Sequence, residues 1–255
     1  MRKRCTARAD AYETAHCRSD KSPTEPQSRG KSCMEFEELR QEVCYVNRML
    51  LAAGLVSMHS GNASGLDRRS GRLVIKPSGV DYDRLKPEDL VEVDLQSGQV
   101  DGGRLRPSVD LPHHLFLYRR MPEIGAIIHT HSPYATAFAA VGRSIPICLT
   151  AMADQFGAEI PCTPYVDNQQ DHIGQAILKY RTRAPAILLG CHGVFVWGPG
   201  PREALKSAVM LEEIAKTMFF AFQLGSPQPL PPEEVEKWFT RYQTTYGQPG
   251  NRSSS

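Results

Sequence analysis

The chain has 255 residues, 41% of them hydrophobic and 23% charged, which suits one large folded domain with a sizeable core and excludes a wholly disordered chain. Its formal net charge of +2 is unevenly spread: residues 1–33 hold eight Lys/Arg against four Asp/Glu, and the rest hold 22 against 24. With no apolar run of about 18 residues and no basic stripe interleaved with aromatics, neither a membrane span nor a nucleic-acid surface is expected.

Residues 1–33 are polar, rich in Arg, Ser and Lys, and lack hydrophobic period. Such a segment buries too little apolar area to offset its chain entropy, so it is expected to be a disordered or non-native extension. No apolar stretch follows its basic residues, so it does not read as a secretory signal. Met34 opens the first helical pattern, over 36–53, with Leu39, Val43, Val46, Leu50 and Leu51 at helical spacing and Gly54 as its stop. Residues 57–71 read as a turn-rich stretch. Leu73-Val74-Ile75 is a buried strand stopped by Lys76-Pro77-Ser78-Gly79, and 90–95 alternates as a strand before a Ser97-Gly98 turn.

Residues 111–120 have helical spacing, with Asp110 at the N-cap and Pro112 in the first turn. An apolar strand over 124–130 runs into two histidines. Short helices are expected at 134–141 and 171–181, a buried strand at 186–189, a long amphipathic helix at 201–224 and a last helix at 233–242 after a Pro-rich break. Strands alternating with helices make this an α/β domain. The seven cysteines show no CxxC pair and no framework spacing, which points to reduced thiols in a cytoplasmic protein, those of the body serving as small core residues.

Residues two apart on a strand share a face, so His129 and His131 project together. Paired imidazoles suit a divalent metal; two polar residues at a strand end is the plainer alternative. A second buried strand ends in Cys191-His192-Gly193, and if the two strands are neighbours, three imidazoles converge in the manner of a catalytic zinc site with an open position. Asp110 can cap its helix, ligate the metal, or both. His113 and His114 face two directions and read as mostly structural, with support of the metal ligands from behind as the alternative. The turns Ser60-Gly61-Asn62-Ala63-Ser64 and Lys76-Pro77-Ser78-Gly79 can cradle a phosphate or be ordinary loops. Asp154, among apolar and small residues, is a candidate proton carrier.

Those turns, with Val74-Ile75 before the second, Arg106-Pro107-Ser108-Val109-Asp110, Leu117-Tyr118-Arg119-Arg120, His129-Thr130-His131-Ser132, Ala153-Asp154, Ile160-Pro161-Cys162-Thr163, His192-Gly193-Val194-Phe195-Val196-Trp197-Gly198 and Tyr246-Gly247-Gln248 come in an order that resembles the class II aldolase and adducin-head family. Within it the resemblance is greatest to the L-ribulose-5-phosphate 4-epimerase branch. It implies a three-layer α/β/α domain over 34–250 with a mixed, mostly antiparallel central sheet, a disordered tail over 251–255, and a cytoplasmic homotetramer with active sites at subunit interfaces. It also implies zinc, or another divalent ion such as manganese, held by His129, His131 and His192 with Asp110 as a fourth ligand. Gly61, Asn62, Lys76, Ser78, Gly79, Ser108 and Asp110 match the substrate-binding turns. Asp154 and Tyr246 match the acid/base pair, Tyr246 reaching a neighbouring subunit's site.

The activity implied is inversion of C4 of a small phosphorylated sugar, L-ribulose 5-phosphate to D-xylulose 5-phosphate, by retro-aldol cleavage and re-addition, as in arabinose catabolism. A family aldolase of the fuculose- or rhamnulose-phosphate type is the alternative, though such enzymes usually carry Glu at the position of Asp110. A metal-free binding module of the adducin-head kind is another, though those lose the metal ligands. Three positions depart from the epimerase pattern: Val109 stands where Ser is typical, and Met152 and Gln155 where His and Tyr flank the catalytic Asp.

Overall fold

A computed structural model describes residues 36–101 and 104–246; the expectations for residues 1–33, for Gly247 and Gln248, and for the tail 251–255 lie outside the described residues. The elements in chain order are α1 (Phe36–Ala52), β1 (Asn62–Asp67), β2 (Arg72–Ile75), β3 (Val91–Asp94), α2 (Leu111–Arg120), β4 (Ala126–Thr130), α3 (Pro133–Ala140), α4 (Thr150–Phe156), β5 (Cys162–Thr163), α5 (His172–Tyr180), β6 (Ala186–Leu189), β7 (Gly193–Gly198), α6 (Pro201–Leu224) and α7 (Pro232–Thr244). The strands form one seven-stranded sheet in the order β3-β2-β1-β4-β7-β6-β5. Among these strands only the β5–β6 pair is parallel.

The three-layer α/β/α architecture follows from strands that are apolar on both faces. Ile127, Ile187, Phe195 and Trp197 pack with Leu117, Tyr118, Ile173 and Ile177 of α2 and α5 on one side. Their strand neighbours Ile128, Leu188, Val194 and Val196 pack with Phe138, Met152, Leu211 and Ile214 of α3, α4 and α6 on the other. The two-residue side-chain period sends alternate residues to opposite layers, so the central strands β4, β6 and β7 read as nearly continuous apolar runs rather than alternating ones.

Four elements escape the sequence patterns. Within the stretch expected to be turns, 62–67 is the strand β1, fully paired between β2 and β4 and almost entirely buried. Its small, polar composition hides it. Gly65 explains that composition: a Cβ there would lie 2.6 Å from Val43 Cγ2 and 2.8 Å from Leu39 Cδ1 of α1. Gly65→Ala is therefore expected to cost about 1–3 kcal/mol through overpacking, read as a lowered denaturant midpoint with an unchanged slope. The short helix α4, the two-residue β5 and β7 are likewise outside the expected elements. β7 carries Val194-Phe195-Val196-Trp197, a buried-strand signature that lies beside the more conspicuous His192.

The cysteines are free among the described residues, but only Cys44 is in the core. Cys148 and Cys162 are half-buried, and Cys191 is exposed in the β6–β7 turn, at a left-handed φ of 58°. No helix of the described residues is long and apolar enough to cross a membrane.

Candidate metal centre

The sheet register builds the site. Asn62 of β1 lies opposite His129 of β4, and His129 lies opposite Phe195 of β7, so the three side chains stand in a row at one end of the sheet. His129 is buried and its ring stacks on Phe195 at 4.7 Å between centroids. His131 follows on the same side, and the tight β6–β7 turn brings in His192. Gly193 makes the approach feasible: a Cβ there would sit 2.6 Å from both His131 Cδ2 and the Thr130 carbonyl oxygen.

The three histidines can each offer a ring nitrogen, all within 4.8 Å of one another. Their centroids are 4.7 Å (His129–His131), 4.9 Å (His129–His192) and 5.2 Å (His131–His192) apart. His129 Nδ1 lies 2.8 Å from the Val194 carbonyl oxygen. A carbonyl only accepts, so Nδ1 carries the proton and Nε2 is left as a bare donor of electrons. That is the orientation a metal-ligating imidazole needs. Burial, above all, pushes His129 down to about 4, with His131 and His192 adding to the effect and Asp110 opposing it. Burial also lowers His131 and His192, against the pull of Asp110. Three neutral imidazoles near neutral pH fit a divalent cation of the zinc kind.

Asp110 occupies the N-cap position of α2, yet its side chain makes no capping hydrogen bond. Instead Oδ2 accepts from Asn62 Nδ2 (2.7 Å) and Ser108 Oγ (3.4 Å), and Oδ1 accepts from Asn168 Nδ2 (3.4 Å). Burial pushes its carboxyl up, but the facing His129 and His114 rings and the Asn62 amide outweigh this and hold it below the ordinary carboxylate value. Asp110 lines the same cleft as the histidines but stands outside the group whose donor atoms lie within 4.8 Å of one another.

The cleft measures about 230 Å³. Besides the three histidines and Asp110, it is lined by Gly61, Asn62, Lys76, Ser78, Gly79 and Ser108 from the foreseen turns. Two loops are zipped together to make this wall: the Ser78 N–H donates to the Arg106 carbonyl (2.9 Å) and the Ser108 N–H to the Lys76 carbonyl (3.0 Å). Ser108 Oγ is engaged internally, accepting from Asn62 Nδ2 at 3.0 Å. The Lys76 ammonium is buried, 4.5 Å from the Tyr82 ring centroid, and bonded to the Pro77 carbonyl at 3.3 Å. Its burial lowers it to about 8, with Asp81 opposing. Val109, 71% exposed, forms part of the same wall and presents methyl groups there.

Asp154 and Tyr246 do not line this cleft. Asp154 is on α4, which packs against α7 through Gly157 and Phe239. Tyr246 follows α7, stacked on Tyr242 at 4.8 Å and 60% exposed. Met152 is fully buried and Gln155 donates to Ser207 Oγ (3.0 Å), so neither of these departures alters the cleft of its own chain.

A model of the family described as the Class II Aldolase and Adducin N-terminal domain matches residues 41–219. The chain belongs to this family. An L-fuculose 1-phosphate aldolase structure is similar at 28% identity and a TM-score of 0.75, over 84% of this chain and 100% of that one. The structure of YgbL from Escherichia coli, described as a candidate aldolase/epimerase/decarboxylase, is similar at 28% identity and a TM-score of 0.70, over 80% of this chain and 98% of that one. An L-fuculose-1-phosphate aldolase from Thermus thermophilus is 29% identical with a TM-score of 0.59, over 74% and 98%.

Two cleft residues of this class II aldolase domain went unforeseen. His59 lies just before the Ser60-Gly61-Asn62 turn, a proximity that offered a signal. Asn168 lies in the β5–α5 loop, where nothing but turn composition marks it. His113 and His114, read as structural, are both buried. His114 Nδ1 lies 2.7 Å from Ser64 Oγ, which in turn lies 2.7 Å from the Tyr118 hydroxyl. Complete burial lowers His114 to about 3. Below an unfolded-state pKa of about 6.5, the unfolded chain takes up this proton and the folded one does not. The metal-free protein is therefore expected to lose stability progressively from about pH 6.5 toward about pH 3, seen as falling thermal midpoints. A flat profile over that range would contradict the neutral, buried His114.

Proposed function

We propose that this chain is a divalent-metal epimerase, which cleaves the C3–C4 bond of L-ribulose 5-phosphate and re-forms it with C4 inverted, giving D-xylulose 5-phosphate. The observation that carries this reading is the meeting in one cleft of three neutral imidazoles, the Asp110 carboxylate and the buried Lys76 ammonium. Position 4 of a ketopentose is not acidic, so inversion requires breaking a bond next to the carbonyl-bearing fragment.

His129, His131 and His192 would hold the ion, zinc by donor type and manganese as the alternative, with Asp110 beside it. When bound, the ion supplies Lewis-acid stabilisation of the charge that cleavage leaves on the ketose fragment. Gly61, Ser78 and Gly79 would offer N–H and hydroxyl groups to the phosphate, with Lys76 as the counter-charge and Asn62, its amide hydrogens given to Asp110 and Ser108, shaping the wall beside it. Asp154 and Tyr246 would move the C4 hydroxyl proton on opposite faces of the aldehyde fragment. Because they sit on the α4–α7 pair, away from their own cleft, they would serve the site of a neighbouring subunit in a homotetramer.

The retained histidine trio supports an enzyme over a metal-free binding module. A class II sugar-phosphate aldolase is the second reading, favoured by the fuculose-phosphate aldolase structures that the chain resembles at 28–29% identity. Asp110, where such aldolases usually carry Glu, supports the epimerase. Incubation of the metal-loaded protein with L-ribulose 5-phosphate separates them. D-xylulose 5-phosphate supports the epimerase; free glycolaldehyde phosphate supports the aldolase; neither product would sink both for this sugar. Since Lys76 loses its proton above about pH 8, KM for the phosphorylated substrate is expected to rise as pH passes that value while kcat changes less. A KM that stayed constant from one side of that value to the other would remove Lys76 from the phosphate site.

A further inference from the structure

The Asp110 carboxylate is held on both oxygens by separate segments of the chain, and the segment least expected to take part is the β5–α5 loop. Asn168 in this loop lines the cleft. Its Nδ2 lies 3.4 Å from Asp110 Oδ1, and its Oδ1 is in short contact with His113 Nε2 of α2. The chemistry fixes the direction of this chain of bonds. A carboxylate only accepts, so Asn168 turns its amide nitrogen to Asp110 and its carbonyl oxygen to His113. That oxygen in turn needs a donor, so His113 carries its proton on Nε2. His113 Nδ1 is then an acceptor, and it is buried without a hydrogen-bond partner. An unpaired buried ring nitrogen is costly. His113 accepts that cost while committing its one N–H to Asn168.

The loop itself is braced for the purpose. Asp167 Oδ1 accepts from the Gln169 N–H (3.0 Å) and from His172 Nδ1 (2.8 Å), and Gln170 takes a left-handed φ of 48°. These contacts hold the backbone on both sides of Asn168.

We propose that Asn168 is a positioning residue, held by His113, which sets the rotation of the Asp110 carboxylate toward an ion on the three histidines. This rests on the metal reading above. Asn62 and Ser108 hold one carboxylate oxygen, and a single-sided hold leaves the group free to swing about that contact. Asn168 closes the second side and ties the carboxylate to a loop that no motif marks. The second amide hydrogen of Asn168 remains available in the exposed wall of the cleft for a substrate hydroxyl.

The test uses the full chain, stripped of metal and reloaded, with two readouts besides turnover: zinc affinity by competition with a chromogenic chelator, and the visible absorption bands of the cobalt(II)-loaded protein. Asn168→Leu keeps the side chain's size and removes its donor and acceptor. It is expected to weaken zinc binding about 10–100-fold and to change the cobalt spectrum, with the circular dichroism of the native chain. His113→Phe keeps the buried ring and removes the N–H; it is expected to act in the same direction and more weakly. The double variant is expected to be no worse than Asn168→Leu alone, because the two residues act in one chain. If the unaltered protein loads neither ion, the metal reading fails and takes this inference with it. If it loads them and Asn168→Leu binds zinc as tightly with the native spectrum, or the two substitutions add fully, the inference alone is overturned.

Discussion

Replacing His192 with alanine is expected to strip the divalent ion from the protein and to lower kcat/KM by about 10³-fold or more, the loss of several kcal/mol of transition-state stabilisation. His192 is the informative choice because it is only half-buried and lies in a turn, whereas His129 is a fully buried strand residue stacked on Phe195. The substitution removes one of three donors without opening the core. Metal content by elemental analysis and the thermal midpoint of the metal-free protein check this together. The midpoint of the metal-free variant is expected to match that of the metal-free native chain, while only the native chain is stabilised by added zinc. A variant that kept a full equivalent of metal and native turnover would remove His192 from the centre.

The second large effect concerns residues that are absent from the cleft of their own chain. Tyr246→Phe and Asp154→Asn are each expected to slow the reaction about 10²–10⁴-fold, the usual worth of a positioned proton carrier, with zinc content unchanged. A mixed assembly offers a sharper measurement. Tyr246→Phe chains retain their histidines, and His192→Ala chains retain their tyrosine. If a site is shared between neighbours, mixing the two inactive proteins under conditions of subunit exchange restores part of the activity. No recovery on mixing, with exchange verified, would confine each site to a single chain and leave Tyr246 without its proposed role.

Much of this site was legible in the residues. His129 and His131 share a strand face by the period of two, and the apolar run before His192 announced a second strand ending in the same kind of donor. What could not be read was adjacency. β4 and β7 are hydrogen-bonded neighbours although more than sixty residues separate them, and His192 enters through the turn that leads into β7. β1 was missed because its composition answers to packing, with Gly65 under Leu39 and Val43, rather than to strand propensity. Asp110 was legible as a cap, yet its side chain abandons the helix for Asn62, Ser108 and Asn168, partners drawn from sites 48 and 58 residues away as well as from its own loop. Asn168 belongs to the same class of miss: its meaning is entirely in what lies across the cleft.

The pairing of Asn62 with His129, and of His129 with Phe195, would make a divalent ion held by the histidines a monitor of sheet assembly. Slipping β4 by one residue against its neighbours would turn His129 into the apolar layer under α3 and α6 and present Ile128 to the cleft. Such a mispaired chain would lose both its donor and its burial pattern, and would gain nothing from zinc. Only the correctly registered sheet would collect the free energy of binding the ion. Zinc-dependent protection against proteolysis would therefore distinguish chains that have merely collapsed from those whose strands have found their partners.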